Sequence, residues 1–357
     1  MISIQNGQPA LILAPMDGLT DAPMRAVQGE IGAFTFSVSE FIRVAQEIPP
    51  VRQFQRDVPE LIHGSITPTG LPVQVQILGG DPERMAEAAA RAIQAGATAI
   101  DINFGCPAPT VNRHDGGATL LKDPPRIRAV VAAVRQAVPA EFPVSAKMRL
   151  GWDSIEPVLE NAAMAEEGGA SWITIHGRTK IQRYEPPAHW EPIGLVKEKL
   201  SIPVVANGDI WSVQDFRRCR DVTGCSHFML GRCAIANPNL SHAIAAELGL
   251  FSNRAPISVT SVGDKLHTGD LDWRTLVMQL IRASKYYAQP DAQTLCRVKQ
   301  WLSMAARFGE FSRFDFVKRS QSIDELMAGL IDPEVVPSYS PACYLDNASH
   351  KERILQA

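Results

Sequence analysis

The 357-residue sequence predicts an α/β fold: a closed (β/α)8 barrel over residues 1–250, followed by a small all-helical domain. Three observations carry this. Eight short apolar runs recur through the first 250 residues, most gaps between them hold helical periodicity, and both patterns stop there. Strands alternating with helices imply right-handed βαβ units and a parallel sheet, and eight such units close into a barrel more readily than they extend an open sheet.

The runs are 11–15 (LILAP), 34–41 (FTFSVSEF), 72–78 (PVQVQIL), 99–103 (AIDIN), 143–150 (PVSAKMRL), 172–176 (WITIH), 203–207 (PVVAN) and 227–231 (HFMLG). Between them, 82–95 is Ala-rich and stopped by Gly96, 124–138 opens on a proline tolerated in a first helical turn, and 155–167 and 213–220 repeat the pattern. Residues 251–270, rich in Ser, Thr, Gly and Asp, read as a linker. Helical spacing returns at Leu276, Leu280 and Ile281, at Leu295, Val298, Trp301 and Leu302, and at Ile323, Leu326 and Leu330. The helical domain is placed at 271–357, its end a loosely structured tail.

With 20% charged and 45% hydrophobic residues the composition is that of an ordinary globular protein, and a net charge of -3 leaves a polyanion to be met by a local basic patch. Six cysteines without a C-x-x-C pair read as reduced thiols, and Cys219, Cys225 and Cys233 lack zinc-ligand spacing. No signal peptide or bilayer-length apolar run is seen, which points to the cytoplasm.

Chemistry concentrates where strands end, since the carboxyl ends of barrel strands build the catalytic face. Cys106 follows the strand at 99–103 and is flanked by Gly105 and Pro107, a stiff turn that a core-filling cysteine does not need. Met16 and Asp17, Glu40, Gln76, Asn103, Lys147 and Arg149, His176 and Arg178, Asn207 and Asp209, and Gly231 and Arg232 occupy the other ends. Asn207, Gly208 and Asp209 with Gly231 and Arg232 supply amides and a guanidinium where many barrels hold a phosphate. If that phosphate belongs to a flavin mononucleotide, Lys147 and Gln76 can meet the pyrimidine edge of its ring.

Taken together, LAPMDGLTDAPMR (13–25), VQILG (75–79), DINFGCP (101–107), GGATLLKDP (116–124), KMRLGWD (147–153), IHGRT (175–179), ANGDI (206–210) and LGR (230–232) resemble the tRNA-dihydrouridine synthases. The resemblance runs in order through the whole barrel. It implies a TIM barrel in which FMN, reduced by NADPH or NADH, passes a hydride to C6 of a tRNA uracil while a cysteine protonates C5. It would place FMN on Pro15, Met16, Asp17, Gln76, Lys147, His176, Asn207, Gly208, Asp209, Gly231 and Arg232, with Cys106 as proton donor and Asn103 on the base.

Basic residues interleaved with aromatics between 297 and 319 would meet the RNA backbone. LLKDP, RLGWDS and RVKQWL most resemble a bacterial subfamily, C, acting at tRNA position 16; the pattern departs at Cys233, where a smaller residue is usual. RNA contacts are expected at Arg43, Arg149, Arg178, Arg297, Lys299, Lys318 and Arg319. A monomer without a protein partner, a membrane or a metal is expected. Two alternatives share the barrel: an FMN oxidoreductase acting on a free pyrimidine, which has no use for a basic helical domain, and a non-catalytic tRNA-binding protein, which would purify colourless.

Overall fold

The computed structural model describes residues 2–112, 115–250 and 271–330. The linker at 251–270 and the tail from 331 lie outside the described residues. Among the described residues nine strands form the sheet: β1 (Ala10–Leu13), β2 (Phe36–Val38), β3 (Ile42–Arg43), β4 (Val73–Leu78), β5 (Ile100–Phe104), β6 (Val144–Arg149), β7 (Ile173–His176), β8 (Val204–Asn207) and β9 (His227–Leu230). Every pairing between them is parallel. Because β2 pairs with both β1 and β4, the ring closes as an eight-stranded barrel.

The run at 34–41 is the one that departs from a plain strand. Val38 pairs with Gln74 and Ile42 with Ile77, so β2 and β3 are one strand carrying an extra residue against β4. That bulge frees Glu40, whose carboxylate accepts the Leu19 N–H at 3.0 Å and holds the loop after β1. Glu40 therefore braces the barrel rim instead of facing its mouth.

Helices α1 (Ala22–Ile31), α2 (Val51–Asp57), α3 (Pro82–Gln94), α4 (Pro109–Asn112), α5 (Pro124–Ala137), α6 (Val158–Glu167), α7 (Glu191–Lys199), α8 (Val213–Thr223), α9 (Arg232–Ala236) and α10 (Leu240–Glu247) accompany the barrel. The Asp81 and Ser212 side chains cap α3 and α8, and α8 runs on to Gly224, whose φ of 61° ends it. Gly96 must be glycine, since its φ is +112° and a Cβ would stand 2.3 Å from the Leu61 carbonyl oxygen.

Strand alternation sorts the barrel's two faces. Ile100, Ile102 and Phe104 face the helices, while Ile2 and Ile4 from the N-terminal segment join Phe36 and Trp172 in an interior apolar cluster. Higher in the interior the residues turn polar: Gln76, Asn103, Lys147 and Asn207 line the open end. This gradient leaves one end filled and the other receptive.

After residue 270 come α11 (Trp273–Tyr286), α12 (Asp291–Phe308), α13 (Phe314–Val317) and α14 (Ile323–Gly329). Leu276, Leu280, Val298, Trp301 and Leu302 share one apolar cluster with Leu19, Met24, Val27, Ile31 and Ile235 of the barrel. The Trp301 Nε1–H donates to the Ile235 carbonyl at 2.8 Å, so α12 is seated on α9. Among the described residues no helix is long and apolar enough to cross a membrane.

Candidate active site

A cavity of about 350 Å³ opens at the carboxyl ends of the strands. Every residue expected to hold the cofactor lines it: Pro15, Met16 and Asp17 after β1, Gln76 of β4, Lys147 of β6, His176 of β7, Asn207, Gly208 and Asp209 at β8, and Gly231 and Arg232 at β9. Asn103, Cys106 and Arg149 stand in the same wall. A second cavity, of about 550 Å³, lies between Trp211, Trp273, Phe308 and Phe311 and holds none of these strand-end groups.

The Cys106 turn is clamped from two sides. The Asn103 Oδ1 accepts the N–H groups of Gly105 and Cys106 at 2.9 and 2.8 Å, and the Asn103 Nδ2 donates to the Gln76 Oε1 at 2.9 Å. Arg149 donates its Nε–H to the Gly105 carbonyl at 2.9 Å, and its Nη1 to the carbonyls of Thr179 and Arg183 at 3.0 and 2.8 Å. Burial pushes the Cys106 thiol above its ordinary range, against the Ala108 N–H and the Arg149 and Arg43 charges that pull the other way. The result is a half-buried thiol that keeps its proton at neutral pH.

Opposite lies a cluster of cations. Burial, with Arg149 beside it, pulls the Lys147 ammonium down to about 8. Burial and the charges of Arg149, Lys147, Arg178 and Arg232 hold His176 well below 6.5, so its ring is neutral. Asp209 pairs with Arg178 and stands 3.7 Å from Arg232, with its own backbone in the left-handed region at φ 50°. Arg232 is ringed by aromatics, 4.9, 5.4 and 5.6 Å from the centres of Tyr184, Trp211 and Phe308.

These residues fit a flavin nucleotide. The Nδ1 of the cavity-lining His176 is buried without a hydrogen-bond partner among the described residues, which a bound polar group can supply. Gly208 (φ +119°) has no Cβ where one would press on Ala188, Gly177 and His176 at 3.3–3.5 Å, and this keeps backbone open to a ligand. Concentrated positive charge suits both a phosphate and an anionic ring.

The expected RNA contacts fare differently. Arg178 is buried and bound to Asp209 and the Glu185 carbonyl, so it does not present itself to RNA. Arg149 reaches the cavity wall but is committed to three carbonyls. Arg297 donates to Asp21 at 2.9 Å, docking α12 on the cap of α1, and Lys299 donates to the Ser320 carbonyl. Arg43 bonds the Thr110 carbonyl at 3.1 Å, outside the cavity lining. Lys318, paired with Asp315 at 2.5 Å, and Arg319 are exposed.

Several cavity residues went unnamed in the sequence reading, Phe41, Tyr184, Trp211 and Met304 among them, and Cys233 was named without a place in the site. Tyr184 and Trp211 sit in loops after strand ends, and aromatics there were the available signal. Met304 comes from α12, so the helical segment contributes directly to the wall. No spacing within 271–330 foretold that.

Residues 12–271 match the family model described as dihydrouridine synthase. The tRNA-dihydrouridine(16) synthase of Aquipseudomonas alcaligenes is 42% identical over 327 residues, 89% of this chain and 98% of the relative. That of Shewanella oneidensis is 50% identical over 234 residues, 66% and 74% respectively, and that of Neisseria meningitidis serogroup A 39% over 332 residues, 91% and 96%. Among solved structures, a 2-naphthoyl-CoA reductase complex shares the fold at TM-score 0.51 and 10% identity, over 67% of this chain and 50% of the other. With its barrel, its strand-end residues and these relatives in agreement, the chain belongs to the dihydrouridine synthase family, whose members are flavin-dependent oxidoreductases.

Proposed function

We propose that this protein reduces the uridine at position 16 of the tRNA D-loop to 5,6-dihydrouridine, using FMN with electrons from NADPH or NADH. One observation supports the reading above the others: the eleven residues expected to hold the flavin, together with Cys106 and Asn103, converge on one cavity. Position 16 follows the relatives, tRNA-dihydrouridine(16) synthases matched over as much as 98% of their own length.

Reduced FMN, when bound there, supplies a hydride for C6 of the uracil. Lys147, Gln76 and His176 would hold the ring, and Arg232 with the amides of Gly208 and Gly231 the phosphate. The Lys147 ammonium, charged below about 8, would balance negative charge on the pyrimidine edge. Asn103 keeps one Nδ2–H beyond its bond to Gln76 and would donate it to a uracil carbonyl. Cys106 then gives its thiol proton to C5, and the Arg149 and Arg43 charges steady the thiolate until solvent restores the proton.

The base must leave its stack to enter a cavity of this size, so the RNA is held from outside. Exposed Lys318 and Arg319 on the helical segment are suited to its backbone. We place the protein in the cytoplasm as a monomer. Purified protein should carry a flavin absorption band, and tRNA from a strain lacking it should lose dihydrouridine at position 16. Loss at a different D-loop position would reject the positional assignment, and colourless protein would favour the non-catalytic alternative.

A further inference from the structure

Asp101 sits on β5 with its side chain inside the barrel, buried, and outside the cavity lining. Barrel interiors are usually layered with branched aliphatic residues, so a carboxylate there calls for a physical account. Its two oxygens are both engaged. The Ser145 hydroxyl donates to Oδ1 at 2.5 Å, and the Gln76 Nε2 donates to Oδ2 at 2.7 Å.

The direction of every bond in this column is forced. Backbone N–H groups can only donate, so the Asn103 atom that receives those of Gly105 and Cys106 must be its oxygen. The Asn103 Nδ2 therefore faces Gln76, which must show its oxygen there and turn its own Nε2 toward residue 101. Residue 101 must then be an acceptor. From the other side, Ser145 accepts from the Gln74 Nε2 at 2.9 Å, so its proton also goes to Asp101.

Resting on the function proposed above, we infer that Asp101 is a positioning residue: a buried acceptor that anchors a carboxamide relay through Gln76 and Asn103 and so orients the Cys106 turn. The relay leaves one N–H on each of Gln76 and Asn103, two residues that line the cavity. Its acceptor end thus keeps donors available where a carbonyl-bearing ring must bind. Without the acceptor, the Gln76 Nε2 is left unpaired in the interior, and both amides lose their fixed orientation.

The test compares Asp101→Asn with Asp101→Leu and Asp101→Ala. Asparagine can still turn an oxygen toward Gln76, whereas leucine and alanine cannot. Asp101→Asn should keep kcat within about threefold of the parent with an unshifted flavin absorption band. Asp101→Leu should lose about tenfold or more in kcat, with KM for tRNA within about threefold and an altered flavin band. Asp101→Ala carries the same comparison if the leucine variant does not fold.

A second readout is independent of tRNA reduction. In flavin-free protein carrying Cys296→Ser and Cys343→Ser, Asp101→Leu or Asp101→Ala should speed alkylation of Cys106 by iodoacetamide about threefold or more, and Asp101→Asn should not. A folded leucine or alanine variant with parental kcat and alkylation rate would overturn the assignment. So would an asparagine variant as impaired as leucine. Parental protein that binds no flavin would instead overturn the proposed function, with the alkylation comparison still deciding on Asp101.

Discussion

The Lys147 ammonium on β6 reaches past β7 and donates to the Asn207 Oδ1 on β8 at 3.2 Å. A single neutral acceptor does not offset the loss of water around the charge, and Arg149 adds repulsion. Asp101 works the other way from beneath, and the ammonium settles at about 8. Lys147 is therefore charged below that pH and neutral above it.

This sets the alkaline limb of the reaction. Turnover should fall as pH rises through about 8, where the positive charge is lost, while Cys106 keeps its proton because burial holds the thiol up. Lys147→Met should lower kcat near neutrality by about 10²–10³ and abolish the limb. A methionine variant whose rate still falls through about 8 would assign the limb to another group.

Cys106→Ala should keep bound flavin and tRNA affinity yet lose about 10²–10⁴ in product formation, the usual worth of a positioned general acid. Single-turnover kinetics with pre-reduced protein separate this from a binding defect. Undiminished turnover would remove Cys106 from the proton-donating role.

Arg297 and the pair Lys318 and Arg319 should behave as different kinds of cation. Arg297 lies against Asp21 at 2.9 Å with little exposure, so Arg297→Ala leaves a poorly solvated carboxylate and should cost about 1–3 kcal/mol in urea denaturation. Replacing Lys318 and Arg319 together by alanine should leave stability nearly unchanged and reduce the salt dependence of tRNA binding by about two units of slope. Equal effects on stability would deny the distinction.

His227 makes a prediction about acid. It begins β9, two residues before the cavity-lining Met229, so it points into the interior, where neither ring nitrogen has a partner among the described residues. Burial pulls it to about 4 from 6.5. Because the folded state resists the proton that the unfolded state takes up, stability is unaffected above about 6.5 and falls as pH drops toward 4. At pH 5 the penalty is about 2 kcal/mol. His227→Phe should recover it, as read from urea midpoints of the flavin-free protein at pH 5 and 7.5. An equal change at both pH values would show that only packing had altered.

The barrel was legible because its signals are local. Eight apolar runs with polar residues at their ends became the ring of strands and the cavity wall, and all eleven expected flavin contacts line that cavity. Charge identity is equally local, but charge placement is not. Arg178 and Arg297 read as RNA contacts because their carboxylate partners, Asp209 and Asp21, are 31 and 276 residues away in sequence. Asp101 lay unremarked within the run 99–103, since nothing along the chain shows that Gln76 and Ser145 stand on either side of it.

The most direct measurement is made with purified protein, NADPH and unmodified tRNA, mapping dihydrouridine by position as NADPH is consumed. Dihydrouridine should accumulate at position 16 in step with NADPH oxidation, and free uridine should not substitute for the tRNA. Oxidation of NADPH with the tRNA left unreduced, or uridine reduced as readily as tRNA, would contradict the account.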